Sequence, residues 1–337
     1  MAFYITIAVW LSFCALIGKK YRNLIWFNVF LLSLINGLRD VSIGIDTENY
    51  YEIWVAISHG KGQYIEPAWY FLNKGIQLIG GGYNLLLWII ALITFIPIGY
   101  VAKKYIPNPS LALLFYFFIT FYLQSFNTMR QDVAVSIIAL SYVFLIRKKR
   151  LKYYITVLLA CFFHASAICS LVVLLIPKKL RLTNAKIINF QIISLFSSFL
   201  LSPGVISLFI GSYAVYLQGG AGIRENIASA YILGILANLF YLFIYNTIRK
   251  EHRDTWIMRA YFLGILLMNM TTQLELGTRI IQYFTILQVF IYPIYLRNNR
   301  FKDKYTAPTL VFTYAIIFFL KLLVGDPLQI CPYKFFF

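Results

Sequence analysis

The sequence predicts an all-α protein that crosses a membrane many times. Three observations carry that expectation. Hydrophobic residues make up 61% of the 337 and charged residues only 12%. The mean hydropathy is +0.74. The uncharged stretches recur as long runs separated by short basic clusters. A soluble domain carries about a quarter charged residues, whereas a membrane span needs about 20 mainly apolar ones. Lipid offers the backbone no hydrogen-bond partners, so such runs take the form of helices.

Along the chain the apolar runs are 2–18, 24–38, 84–102, 110–125, 131–146, 153–177, 187–201, 203–217, 227–248, 256–272, 280–296 and 307–324. They predict about 10–12 transmembrane helices in a single transmembrane domain, 1–337. The first run is followed by Lys19, Lys20 and Arg22 and has no small-residue cleavage site, so it reads as a retained span. The formal net charge of +18 does not point to nucleic acid. Lys and Arg gather at 19–22, 103–104, 147–152, 178–181, 249–253 and 297–304, where cytoplasmic loops carry them. With those clusters inside, 39–67, 125–131, 218–225, 272–279 and both termini lie outside. The segment 153–177 lies between two basic clusters. A turn back near His164 keeps both inside, while a single crossing would require 187–201 and 203–217 both to cross.

The outer stretch at about 39–80 divides in two. A loop carrying Arg39, Asp40, Asp46, Glu48 and Glu52 precedes Ile65, Trp69, Leu72, Ile76 and Ile79 at helical spacing, which predicts an interfacial helix. Glu66-Pro67 opens that helix with a carboxylate near its N-terminus and Pro at an early position. Cys14, Cys161, Cys169 and Cys331 have no CxxC spacing and read as packing residues.

Ionisable groups at membrane depth are costly and usually mark a site. In Phe126-Asn127-Thr128-Met129-Arg130-Gln131-Asp132, Arg130 opens a helix at the outer mouth, against the charge rule. It is either an arginine snorkelling to headgroups or an anion clamp, because a guanidinium grips phosphate through two parallel bonds. Arg39-Asp40 reads as a local ion pair or as a second phosphate ligand held by Asp40. Arg279 pairs with Glu275 four residues earlier or joins the same anion site, and Arg224 adds a further outer cation. Arg39, Arg130, Arg224 and Arg279 together suit a membrane-borne pyrophosphate. His164, in Cys161-Phe162-Phe163-His164-Ala165, is either a packing residue or a neutral imidazole taking a proton from an attacking hydroxyl. Asp46 and Glu66 are competing carboxylate bases. No GxxxxGK[ST] loop, HExxH or CxxC is present, and Asp46-Thr47-Glu48 is not a DxD motif, so neither metal nor cofactor is assigned.

Arg39-Asp40, Gly44-Ile45-Asp46-Thr47 with Tyr50, Glu66-Pro67 with Asn73, Phe126-Asn127, Arg130-Gln131 and His164-Ala165-Ser166 form an ordered set over 39–166 that resembles the EpsG family. Arg279-Ile280-Ile281-Gln282-Tyr283 adds a weaker match. That family groups with Wzy-type polymerases of O-antigen, capsule and exopolysaccharide. Ala165 departs from the family, whose members often have Lys or Ser there. The resemblance implies a C-type glycosyltransferase-like fold, akin to O-antigen ligase, in the bacterial cytoplasmic membrane. It implies polymerisation of undecaprenyl-pyrophosphate-linked glycans at the extracytoplasmic face, without nucleotide sugar or metal. Membrane lipids, a chain-length regulator and a flippase are the implied partners. In the expected mechanism Arg130 and Arg279, supported by Arg39, neutralise the leaving pyrophosphate. His164 is the favoured base over Asp46. Glu66, Asn73, Asn127 and Gln131 position sugars, and Tyr64 and Trp69 stack on them. An O-antigen-type ligase would use the same clamp. A lipid-linked oligosaccharide flippase would instead line both halves of the membrane with charge, and a membrane O-acyltransferase would need a second polar residue beside its His.

Overall fold

The computed structural model describes residues 1–61, 65–177, 181–202 and 226–337, with the side chains at 275, 276 and 278 left aside. The expected run 203–217, the loop 218–225 with Arg224, most of the basic cluster 178–181, and Tyr64 lie outside the described residues.

The chain is all-α, as its composition predicts. In order it forms α1 (Ala2–Ile17), α2 (Leu24–Gly37), α3 (Thr47–Ser58), α4 (Pro67–Leu78), α5 (Tyr83–Tyr105), α6 (Pro109–Phe118), α7 (Phe121–Gln124), α8 (Met129–Ile146) and α9 (Arg150–Phe163). A 3₁₀ helix, Ala165–Leu175, follows. Then come α10 (Asn184–Leu200), α11 (Ile227–Thr247), α12 (Lys250–Arg253), α13 (Trp256–Met270), α14 (Glu275–Thr285), α15 (Gln288–Asn298) and α16 (Thr306–Gly325). Among the described residues, five helical stretches are long and apolar enough to cross a membrane: Tyr83–Tyr105, Met129–Ile146, Ile227–Thr247, Arg279–Asn298 and Thr306–Gly325. Five shorter apolar helices accompany them. The protein is a multi-pass membrane protein.

Two compact units result. The first comprises Met1–Ile168, Tyr292–Leu296 and Asp303–Phe337; the second comprises Cys169–Ile291 and Arg297–Lys302. In the first unit α2 packs on α5, α5 on α8, and α8 on α9. Gly37 permits the first contact, since a Cβ there would meet Trp88 Cβ at 2.5 Å. Lys148, in the left-handed region at φ 57°, turns α8 back into α9. The start of α8 therefore lies beside the end of α9.

Charge separates along this unit. At one end Arg22 donates to Ile106 O (3.0 Å) and to the carbonyls of Pro107 and Lys103, and the Arg147 guanidinium lies 5.1 Å from the Tyr105 ring centroid. The basic clusters 19–22, 103–104 and 147–152 thus share an end, as the charge rule requires. The opposite end holds the loop after α2, the helices α3 and α4, the 125–132 turn and the C-terminal tail. That tail pairs with the loop: Asp40 N donates to Lys334 O and Gly44 N to Gln329 O, both at 3.0 Å.

Two expectations need correction here. The loop 39–62 contains α3, whose Thr47, Tyr50 and Ile57 face inward among outward Glu48 and Glu52. The run 110–125 is broken, because Thr120 sits in the left-handed region at φ 70° between α6 and α7. The predicted helix near 65–79 is present as α4. Trp69, Asn73 and Ile76 face the core, and Phe71 and Leu78 remain exposed. A helix apolar on both faces suits a position bedded against lipid.

In the second unit α10, α11 and α13 are joined by side-chain amides. Asn238 and Asn269 exchange hydrogen bonds of 2.7 and 3.0 Å, and Asn269 also donates to Ser194 Oγ at 2.8 Å. Paired polar groups of this kind hold helices together where the hydrophobic effect between them is weak.

Candidate functional site

At the non-basic end of the first unit, three ionisable side chains from distant parts of the chain meet. Arg130 is the second residue of α8 and His164 is the C-cap of α9, so the α8–α9 hairpin sets them side by side. Helix α4 packs against α9 and brings its N-cap, Glu66. Pro67 starts α4 at the position where a missing N–H costs nothing, and the Glu66 side chain makes no cap bond of its own. It reaches sideways instead. Glu66 Oε2 accepts from Arg130 Nη1, and Oε1 lies 3.1 Å from His164 Nδ1. Helix α3 supplies Tyr50, whose hydroxyl bonds with Arg130 and whose ring centroid is 5.5 Å from the guanidinium. Beneath lies a core of Tyr50, Trp69, Ile76, Tyr83, Leu86, Leu87, Ile90, Met129 and Val133. This packing holds the helix ends that carry the polar groups.

The electrostatics follow from partial burial. Arg130, Glu66 and His164 are 27%, 20% and 17% exposed, so each keeps a face toward solvent. Burial works to raise the Glu66 carboxyl. The hydrogen bond to His164, its own backbone and the Arg130 charge outweigh it and hold the group at about 2, well below its usual 4.5. Burial pushes the Tyr50 phenol up, against the opposing Arg130 charge. Tyr50 therefore stays a neutral partner for the guanidinium. The arrangement offers a carboxylate-oriented imidazole beside an arginine, which is the geometry of an oriented base next to an anion ligand.

The other expected site residues fall elsewhere. Arg39 is fully buried. Its guanidinium donates to Asn36 O (2.6 Å), Asn36 Oδ1, Phe126 O (3.3 Å) and Met129 Sδ (3.1 Å), and lies 5.0 Å from the Phe126 ring centroid. Its bonds face the interior, so it ties the end of α2 to the 126–129 turn rather than a ligand. Asp40 does not hold it; that carboxylate accepts from Ser42 N (2.9 Å) and Ser42 Oγ (2.6 Å). Asn73, fully buried, donates to Trp69 O at 2.7 Å. Asn127 accepts from Asp46 N (3.2 Å) and donates to Leu328 O (3.3 Å), joining loop, turn and tail. Gln131 is 3% exposed. Trp69 is fully buried with its ring 5.1 Å from that of Tyr50. Arg39, Asn73, Asn127, Gln131 and Trp69 are all buried in this structure.

Asp46 remains part-exposed at the N-terminus of α3, close enough for its charge to act on Tyr50. Arg279 is exposed on α14 in the second unit. Of the expected arginines, the first unit holds Arg39, which is buried, and Arg130, which is part-exposed. Sequence reasoning gave Glu66 a sugar-positioning or rival-base role and missed it as the hub. The available signal was that Glu66 and Arg130 fall at helix starts on one side of the predicted topology, where His164 joins them if 153–177 turns back. Tyr50 carried no signal beyond its place in the motif.

A family model described as EpsG family matches residues 22–335, a span that includes every residue of this site. No curated protein and no solved structure matches the chain. The match covers nearly the whole length, and with it the chain belongs to the EpsG family of polysaccharide-biosynthesis membrane proteins.

Proposed function

We propose that this protein polymerises undecaprenyl-pyrophosphate-linked repeat units into a surface polysaccharide by glycosyl transfer at the extracytoplasmic face of the bacterial cytoplasmic membrane. The observation that carries the reading is the chain Arg130–Glu66–His164, set at the end of the first unit opposite its basic clusters. Membership of the EpsG family supports the substrate class, and the three residues support the chemistry.

The donor sugar is bonded through its anomeric carbon to pyrophosphate. An acceptor hydroxyl attacks that carbon. Its proton passes to His164 Nε2, because Glu66 orients the ring by accepting from Nδ1–H. The bond from carbon to pyrophosphate breaks and its electron pair leaves with the oxygen. Arg130 neutralises that developing charge, the kind of preorganised electrostatic help that usually dominates catalysis. Pyrophosphate is already a good leaving group, so no separate acid is required there. Tyr50 holds the guanidinium through its hydroxyl and ring, and Asp46 is the rival base.

Deletion of the gene followed by gel analysis of surface glycan tests the reading. A polymerase predicts loss of the ladder with a single repeat unit retained. Loss of all attached glycan would identify a ligase instead.

A further inference from the structure

Glu66 serves two neighbours with one charge. Arg130 holds one carboxylate oxygen and His164 the other. We infer that Glu66 couples anion binding to base strength: a pyrophosphate that draws Arg130 away leaves the carboxylate to His164 alone, and the imidazole becomes a stronger base. This inference rests on the reading of Arg130 as anion ligand and His164 as base.

The geometry supports the exchange. The Arg130 guanidinium is spread over two partners, the Glu66 carboxylate and the Tyr50 hydroxyl and ring. Its Nε is buried and makes no hydrogen bond among the described residues. It is also part-exposed, so an anion arriving from outside can reach it. A pyrophosphate carries more charge than one carboxylate and matches the guanidinium fork. Tyr50 stays in contact from α3 and limits how far the group swings.

The sign follows from the charges that face the pair. Arg130 comes from α8 and Tyr50 from α3, and the Asp46 charge acts on Tyr50. On α9 the nearest charged residue to His164 is Lys152, at the other end of the helix. Arg130 partly cancels the negative charge that Glu66 presents to the imidazole. When the cation moves to a pyrophosphate, the uncompensated carboxylate favours imidazolium, so the midpoint of His164 rises.

The test uses the full-length protein in lipid nanodiscs with histidine labelled for NMR. His59 and His252 are assigned by substitution. Inorganic pyrophosphate is the probe. Saturating probe raises the His164 midpoint by about one pH unit. In E66Q the rise is less than half of that, because the relay is gone. In R130Q the midpoint starts high and the probe adds little, which keeps the inference testable should E66Q fail to fold. An equal rise in wild type and E66Q would show a direct through-space effect and overturn the coupling. Binding without a shift would overturn it as well, while leaving the anion reading intact. Absence of any binding would overturn both.

Discussion

Glu66 is the residue on which the site turns, and its depressed acidity makes it the easiest to test. Its folded-state value of about 2 lies below the usual 4.5, so the ionised cluster stabilises the fold fully above the higher value. That contribution, about 3 kcal/mol, drains away as pH falls from 4.5 toward 2. Thermal unfolding in detergent should therefore drop more steeply over that interval in wild type than in E66Q. Equal slopes would mean that the carboxylate is not held by its partners. At Arg130, R130K keeps the charge but loses the fork and the guanidinium's contact with the Tyr50 ring. Polymer yield should fall by about tenfold or more, measured as ladder intensity with protein level held equal. Arg39 marks what a sequence does not disclose at this scale. Its exposed-cation reading rested on position beside the second run, whereas its acceptors come from residues 36 and 126. Nothing local to Arg39 announces Phe126. The pairing of Glu66 with His164, 98 residues apart, was hidden for the same reason.

At the scale of elements, the long apolar helices were legible because their signal is continuous. The runs 24–38, 84–102 and 227–248 match α2, α5 and α11 nearly end to end. Helix α3 was not legible, since its inward face rests on only Thr47, Tyr50 and Ile57 among exposed Glu48, Asn49 and Glu52, and the segment lies in an outer loop. Its start depends on Gly44, at φ +94°, where a Cβ would meet Thr47 Oγ1 at 3.0 Å and Asn127 Oδ1 at 3.1 Å. G44A should therefore cost about 1–2 kcal/mol in unfolding measurements, through both the backbone and the contacts. The C-terminal tail is a second element that the sequence leaves blank. Leu328 O binds Asn127, Gln329 O binds Gly44, and Ile330 O accepts from Tyr4 at 2.9 Å. Deleting residues 326–337 should leave membrane insertion intact but abolish the ladder, because the loop and turn that seat Tyr50 and Arg130 lose their strap. A truncated protein with a full ladder would show that the tail is dispensable.

Across the whole molecule, the charges and the membrane have to agree. In the first unit the lysine-rich and arginine-rich turns occupy one end, and Arg130 lies at the other, joined to a carboxylate and an imidazole. The charge rule explains the first group by topology alone. It leaves the second group without a topological cause, which is why a catalytic one is sought there. The same contrast separates this reading from a flippase, which would line both halves of the bilayer with charge. The most direct measurement is reconstitution of the purified protein in liposomes with a single undecaprenyl-pyrophosphate-linked repeat unit, followed by gel analysis of the products. The account predicts a ladder with one carrier pyrophosphate released per linkage, absent in H164A and sharply reduced in E66Q. A ladder of undiminished length in both variants would contradict it.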